Sequence, residues 1–112
     1  MTITPDRITT IDHLPGAETV QALGIVVGEA VIGSNIVRDF LSGITDVLGG
    51  RSGAVQKSFR AARTAAMDDM IEAAESLGAN AIVGVDLDYE VLGEKNGMVL
   101  VSISGTAVRV AG

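Results

Sequence analysis

The 112-residue sequence contains no cysteine and no tryptophan, only two prolines and a single histidine, His13. Without cysteine there is no disulfide framework and no thiolate chemistry. Aromatic residues amount to Phe40, Phe59 and Tyr89, 3% of the chain. That is too few for the stacking platforms that hold single-stranded nucleic acid. Positive charge is also scarce. Eight Lys and Arg face fourteen Asp and Glu, for a net charge of −6, and such a surface repels phosphate backbones. Long apolar runs are missing too. The stretch from Ala22 to Ile32 is broken by Gly24, Gly28 and Glu29 and falls well short of the roughly 20 residues of a spanning helix. The opening MTITPDRITT lacks the basic-then-apolar pattern of a secretory leader. These absences predict a cytoplasmic protein that binds neither nucleic acid nor membrane.

What is present is apolar. Hydrophobic residues make up 47% of the chain and glycine contributes 14 more positions, with a mean hydropathy of +0.42. A chain of this length forms one domain with one core. The apolar excess therefore predicts a subunit that hides surface against copies of itself.

The order of residues predicts one α+β domain over residues 1–112, with elements in the order β-α-α-β-β. Residues 1–18 form a polar N-terminal extension that allows a short strand near Arg7–Ile11, and Leu14-Pro15-Gly16 is a turn signal. Thr19–Ile32 is rich in β-branched residues and apolar on both alternating faces, which suits a strand covered on two sides. Gly24 and Gly28 within it mark a bend or the close approach of another backbone. After Gly33-Ser34-Asn35, residues Ile36, Val37, Phe40, Leu41, Ile44, Val47 and Leu48 fall at helical spacing, ended by Gly49-Gly50. A longer helix runs from Ser52 or Gly53 to about Leu77. Its face is Val55, Phe59, Ala62, Ala66, Met70, Ala73 and Leu77, and Gly78 follows as its stop. Ala79–Val91 alternates, with Ala81, Val83, Val85, Leu87, Tyr89 and Val91 on one face and Asp86, Asp88 and Glu90 on the other. Gly93–Gly97 is a hairpin turn with an Asn-Gly step, and Met98–Val110 returns.

Several blocks resemble a known family. They are Gly28-Glu29-Ala30, Gly33, Asn35-Ile36, Arg38-Asp39-Phe40, Gly43-Ile44 and Gly49-Gly50-Arg51-Ser52-Gly53-Ala54. Further along come Arg60, Ala62-Arg63, Leu77-Gly78-Ala79-Asn80-Ala81 and Gly105-Thr106-Ala107-Val108. In order and spacing they resemble the YbjQ-like family of small bacterial proteins over about Gly24 to Val108. The resemblance implies a dodecin-like subunit, a small antiparallel sheet with one long helix across it. It also implies assembly into a ring, most often a homopentamer. The family carries the description "putative heavy-metal-binding" and no established activity.

The residues themselves suit a soft metal poorly, since thiolate and imidazole donors are nearly absent. Met67 and Met70 sit at helical spacing and are expected to be core and its flank. His13 is expected on the surface. Asp86, Asp88 and Glu90 share one strand face and are the candidate ligands for a hard cation, if a ring repeats them around an axis. Otherwise they are a solvated outer face. On the long helix Arg51, Lys57, Arg60 and Arg63 occupy the first half and Asp68, Asp69, Glu72 and Glu75 the second, opposite to what the macrodipole favours. Arg63 borders the apolar stripe and needs a partner. Two explanations stand. One is a structural network with Asp39 or Asp46. The other is a small anion or metabolite held by Arg38, Arg51, Arg60 and Arg63, with backbone N–H groups of Gly49–Gly53. No nucleophile–base constellation is legible, and Glu29, an acid inside an apolar strand, is the lone acid–base candidate. The sequence therefore predicts a non-enzymatic homo-oligomer without a cofactor.

Overall fold

The computed structural model describes residues 3–33, 50–92 and 98–111, and the side chains among these from residue 56 on in the helix. The helix expected over Ile36–Leu48 and the turn at Gly93–Gly97 lie outside the described residues. Strand β1 spans Thr19–Ile32, helix α1 Gly50–Ser76, strand β2 Ala81–Leu92 and strand β3 Met98–Val110. The described strands form an antiparallel sheet in the order β1-β3-β2. Both β1 and β2 are therefore edges.

The helix lies over β1 and β3. Val26, Gly28 and Ile32 of β1 face it. So do Val99, Val101 and Ile103 of β3, each directly across from a β1 residue on that face. From α1 come Ala62, Ala66, Met70 and Ala74. These four recur every fourth residue, so the buried stripe ends on Ala74. Leu77, expected to close the stripe, stays largely exposed. The alanines allow close approach, and Gly28 completes it. A Cβ at position 28 would lie 1.8 Å from the Ala66 carbonyl oxygen and 2.6 Å from Met70 N. The expectation of a backbone crossing at Gly28 holds.

The C-terminus of α1 is closed by its own backbone. Gly78 adopts φ +85, its N–H bonds the Glu75 carbonyl, and Ala79 N–H bonds the Ala74 carbonyl. This is the paired Schellman pattern, and it needs a residue at ease with positive φ. Arg109 donates to the Gly78 carbonyl at 2.6 Å, placing a cation at the negative end of the helix. Asn80 then donates to Val110 O and accepts from Val110 N, extending the β2–β3 ladder with an amide side chain.

Two expectations are corrected. The first concerns β2, whose alternation is not continuous. Its register against β3 shifts between Val83 and Asp86, where Gly84 takes φ +62. The bulge sends Ala81 and Val83 to the face away from the helix, where they pack with Val108, Val110 and the buried Leu14. Val85, Leu87, Tyr89 and Val91 point to the helix side. A bulge adds one residue to a strand and inverts the pattern beyond it. The second concerns residues 7–11, which do not form a strand. Pro5–Arg7 make a single 3₁₀ turn, because Pro5 fixes φ and offers no N–H to a ladder. Beyond it Ile8 makes one parallel bridge with Ile82. Thr9 N bonds Ile82 O, Gly84 N bonds Ile11 O and Val85 N bonds Thr9 O. The segment thus covers the edge of β2 at its bulge.

β1 is apolar on both faces, as its sequence suggested, and among the described residues only one face is covered. Ile25, Val27 and Val31 stand on the open side.

Candidate functional site

On the open face each of the three described strands presents a predominant kind of side chain, interrupted by Glu29 on β1, Leu100 on β3 and Val83 on β2. β1 offers Ile25, Val27, Glu29 and Val31. β3 offers Thr106, Ser104, Ser102 and Leu100 directly across from them, and beyond these β2 offers Val83, Asp86, Asp88 and Glu90. A hydroxyl column therefore separates an aliphatic edge from an acidic one. Asp86, Asp88 and Glu90 share this face as expected, all exposed. The hydrogen bond that Asp88 shares with Asp86, and the like charge beside it, raise the Asp88 pKa above the ordinary aspartate value. Glu29 is exposed on the same face, a wet position rather than the buried one a perturbed catalytic acid needs. Ser102 lies across from Asp88 and Ser104 across from Asp86.

The two basic candidates whose side chains are described, Arg60 and Arg63, line different grooves. Arg38 lies outside the described residues. Arg51 sits in the first turn of α1, its side chain undescribed. Arg60 is exposed and borders, with Lys57, Thr64 and Asp68, a shallow depression of about 480 Å³. Arg63 helps line a separate groove of about 420 Å³ toward Val85 and Leu87. There its guanidinium donates to the Tyr89 hydroxyl at 3.1 Å. Tyr89 also meets Phe59 edge to face, with centroids 5.6 Å apart. Asp39 and Asp46, the carboxylates expected to pair with Arg63, lie outside the described residues. Tyr89 is the partner that sequence reading missed. Its only signal was an aromatic residue in the alternating strand β2.

The acidic half of α1 has a local reason. Asp69 accepts the Glu29 N–H on the edge strand at 3.2 Å, and Glu75 accepts the Ile3 N–H at 2.6 Å. Carboxylates here satisfy backbone donors that no described strand reaches, and this outweighs the few tenths of a kcal/mol the macrodipole costs at exposed positions. A cavity of about 670 Å³ lies on this side, between the N-terminal segment and α1, lined by Ile3, Ile8, Met67 and Ile71 together with Asp68, Glu72 and Glu75. No sequence pattern marked it, because its two walls lie some 60 positions apart in the chain.

The donor set does not suit a soft metal. Among the described residues no three or more His, Asp or Glu side chains come together as a metal site. His13 is exposed and bonds the Asp12 carboxylate at 2.9 Å. Met70 is 0% exposed in the core, and Met67 packs at its flank.

These features define a class of protein, an α+β domain in which one long helix crosses a three-stranded antiparallel sheet. A protein of unknown function of the DUF74 family from Pediococcus pentosaceus shares the fold. The TM-score is 0.59 at 16% identity, covering 93% of this chain and 96% of that one. The chain belongs to the YbjQ family, whose model, described as "putative heavy-metal-binding", matches residues 7–111. Among the described residues no helix is long and apolar enough to cross a membrane.

Proposed function

We infer that the protein works as a non-enzymatic homo-oligomer, a ring and most often a pentamer in this family, serving as a cytoplasmic binding or scaffold protein. The observation that carries this reading is the apolar surface left open on both sheet edges. Ile25 of β1 is 81% exposed, Val91 of β2 58%, and Tyr89 47%. The two strips lie on opposite faces of opposite edges, so one copy cannot cover both. Two copies meeting β1 to β2 cover one of each and leave one of each open. Such a head-to-tail contact repeats, and where the rotation between copies closes it generates a ring rather than a filament. Native mass spectrometry at micromolar concentration tests the reading. An oligomer of defined size is expected, and a folded monomer would overturn it.

A second reading concerns what the assembly binds. Asp86, Asp88 and Glu90 form a column that a ring would repeat, which suits a hard cation such as Ca²⁺ or Mg²⁺. Support for it comes from the contact between the Asp86 and Asp88 carboxyl groups, a repulsive pair that a cation would relieve. Calorimetry with each ion and with the Asp86→Asn variant decides it, and no heat at millimolar cation would retire it. The anion or metabolite alternative at an Arg-rich subunit interface rests on Arg38, Arg51, Arg60 and Arg63. Lys57 and exposed Arg60, one turn apart on α1, are its support, and an Arg60→Ala variant that still assembles but loses phosphate binding would favour it.

A further inference from the structure

The cavity between the N-terminal segment and α1 has a composition that neither the family description nor the assembly reading uses. Its volume of about 670 Å³ lies within the roughly 300–1,000 Å³ of small-molecule sites. The floor is aliphatic, made by Ile3, Ile8, Met67 and Ile71, and the wall on α1 carries Asp68, Glu72 and Glu75. At i, i+4 and i+7 these carboxylates follow one side of the helix over about 10 Å, at ~1.5 Å rise per residue. Glu75 accepts one backbone N–H, from Ile3, and a carboxylate retains acceptor capacity beyond that. None of the three pairs with a cationic side chain among the described residues. They are also not gathered into a metal-holding set, so a point cation finds no cage. Charges strung along an apolar floor match a different ligand, a flexible methylene chain carrying several ammonium groups.

We propose that this cavity binds a linear aliphatic polyamine, its ammonium groups on Asp68, Glu72 and Glu75 and its methylenes on Met67 and Ile71. The aliphatic floor distinguishes the site from the acidic column on β2, which lies on the far side of the sheet and has a wet hydroxyl column beside it. Recognition by both charge and apolar contact makes affinity rise with the number of ammonium groups. Multivalent inorganic cations lack the apolar half of the interaction.

The test is a titration of the full chain with spermidine, followed by methyl NMR of the Met and Ile side chains and by calorimetry. Saturable shifts of the Met67, Ile71 and Ile8 methyls are expected, with Mg²⁺ at equal charge leaving them in place. Putrescine should bind the wild-type chain at least tenfold more weakly than spermidine, a comparison that needs no variant. The Asp68→Asn/Glu72→Gln variant, with an unchanged circular dichroism spectrum, should lose at least tenfold in affinity. The Asp12→Asn/Glu18→Gln variant, which removes the same charge at exposed positions outside the cavity, should match wild type. Absence of saturable shifts at millimolar spermidine, equal binding of the two amines, identical shifts with Mg²⁺, or equal loss in both variants would each overturn the proposal. These readouts do not depend on the oligomeric state, so the proposal and the assembly reading fail separately.

Discussion

A methyl group at position 28 would overlap the backbone of α1 at Ala66 and Met70. The side chain that is absent there therefore sets the depth at which the helix sits. Gly28→Ala is expected to destabilise the fold by about 3 kcal/mol or more, the upper end of the overpacking range, because the atoms met are backbone and cannot rotate away. Urea unfolding at fixed protein concentration measures it. On the opposite face of the sheet, Asp88 holds its proton more tightly than an unfolded aspartate because of its hydrogen bond and like-charge contact with Asp86. The folded state then binds more protons than the unfolded chain between the ordinary aspartate value and the raised one. Stability therefore falls as pH rises through that window. Asp88→Asn is expected to raise the melting temperature at pH 7 and to leave it unchanged at pH values below the ordinary aspartate range. A thermal melt series across pH 3 to 7 reads both ends.

At the scale of elements, the bulge in β2 decides which side chains reach the core. Gly84 sits at φ +62 with open space where a Cβ would go, so a substitution there meets only backbone strain. Gly84→Ala is expected to cost about 1–2 kcal/mol and Gly84→Asn less, since Asn tolerates the left-handed region. Thermal or urea unfolding of the two variants gives the order, and equal stability of Gly84→Ala and wild type would sink the account. The boundaries of β1 and β3 were legible in the sequence, because β-branched runs bounded by glycine and turn residues leave few alternatives. The end of α1 at Gly78 was legible for the same reason. The bulge was not, since Gly84 inside an alternating strand fits the period equally well with or without an extra residue. The helix stripe was legible except at its end, where the sheet runs out beneath Leu77.

For the whole molecule, the question is what covers Ile25, Val27 and Val31 on one edge and Leu87, Tyr89 and Val91 on the other. In a single chain Ile25 contacts little, so Ile25→Asp should change monomer stability by no more than about 0.5 kcal/mol. If copies of the chain bury that edge, the same substitution places a charge in the contact and shifts the assembly toward monomer. Light scattering on gel-filtration peaks, with circular dichroism as the folding control, should show a smaller species with an unchanged spectrum. An unaltered oligomer would remove Ile25 from the contact. The candidate site was only partly legible. Asp86, Asp88 and Glu90 share a face because all three lie beyond the bulge, where the period of two is intact. Arg60 and Arg63 lie only about 60° apart around the helix, and what separates them is the reach of the Arg63 guanidinium across to the Tyr89 hydroxyl on β2, a contact no helical spacing announces.

By itself the sequence determined the strands, the long helix, the exclusion of thiol chemistry and the excess of apolar surface, because these follow from local periodicity and composition. Only the tertiary structure decided the rest. The Arg63–Tyr89 contact, the use of Asp69 and Glu75 as acceptors for backbone N–H groups, the face inversion at Gly84 and the cavity under Ile3 all join residues distant in the chain. Which distant groups meet depends on how closely the helix crosses the sheet, and that distance is set by steric contact at Gly28 and Ala66.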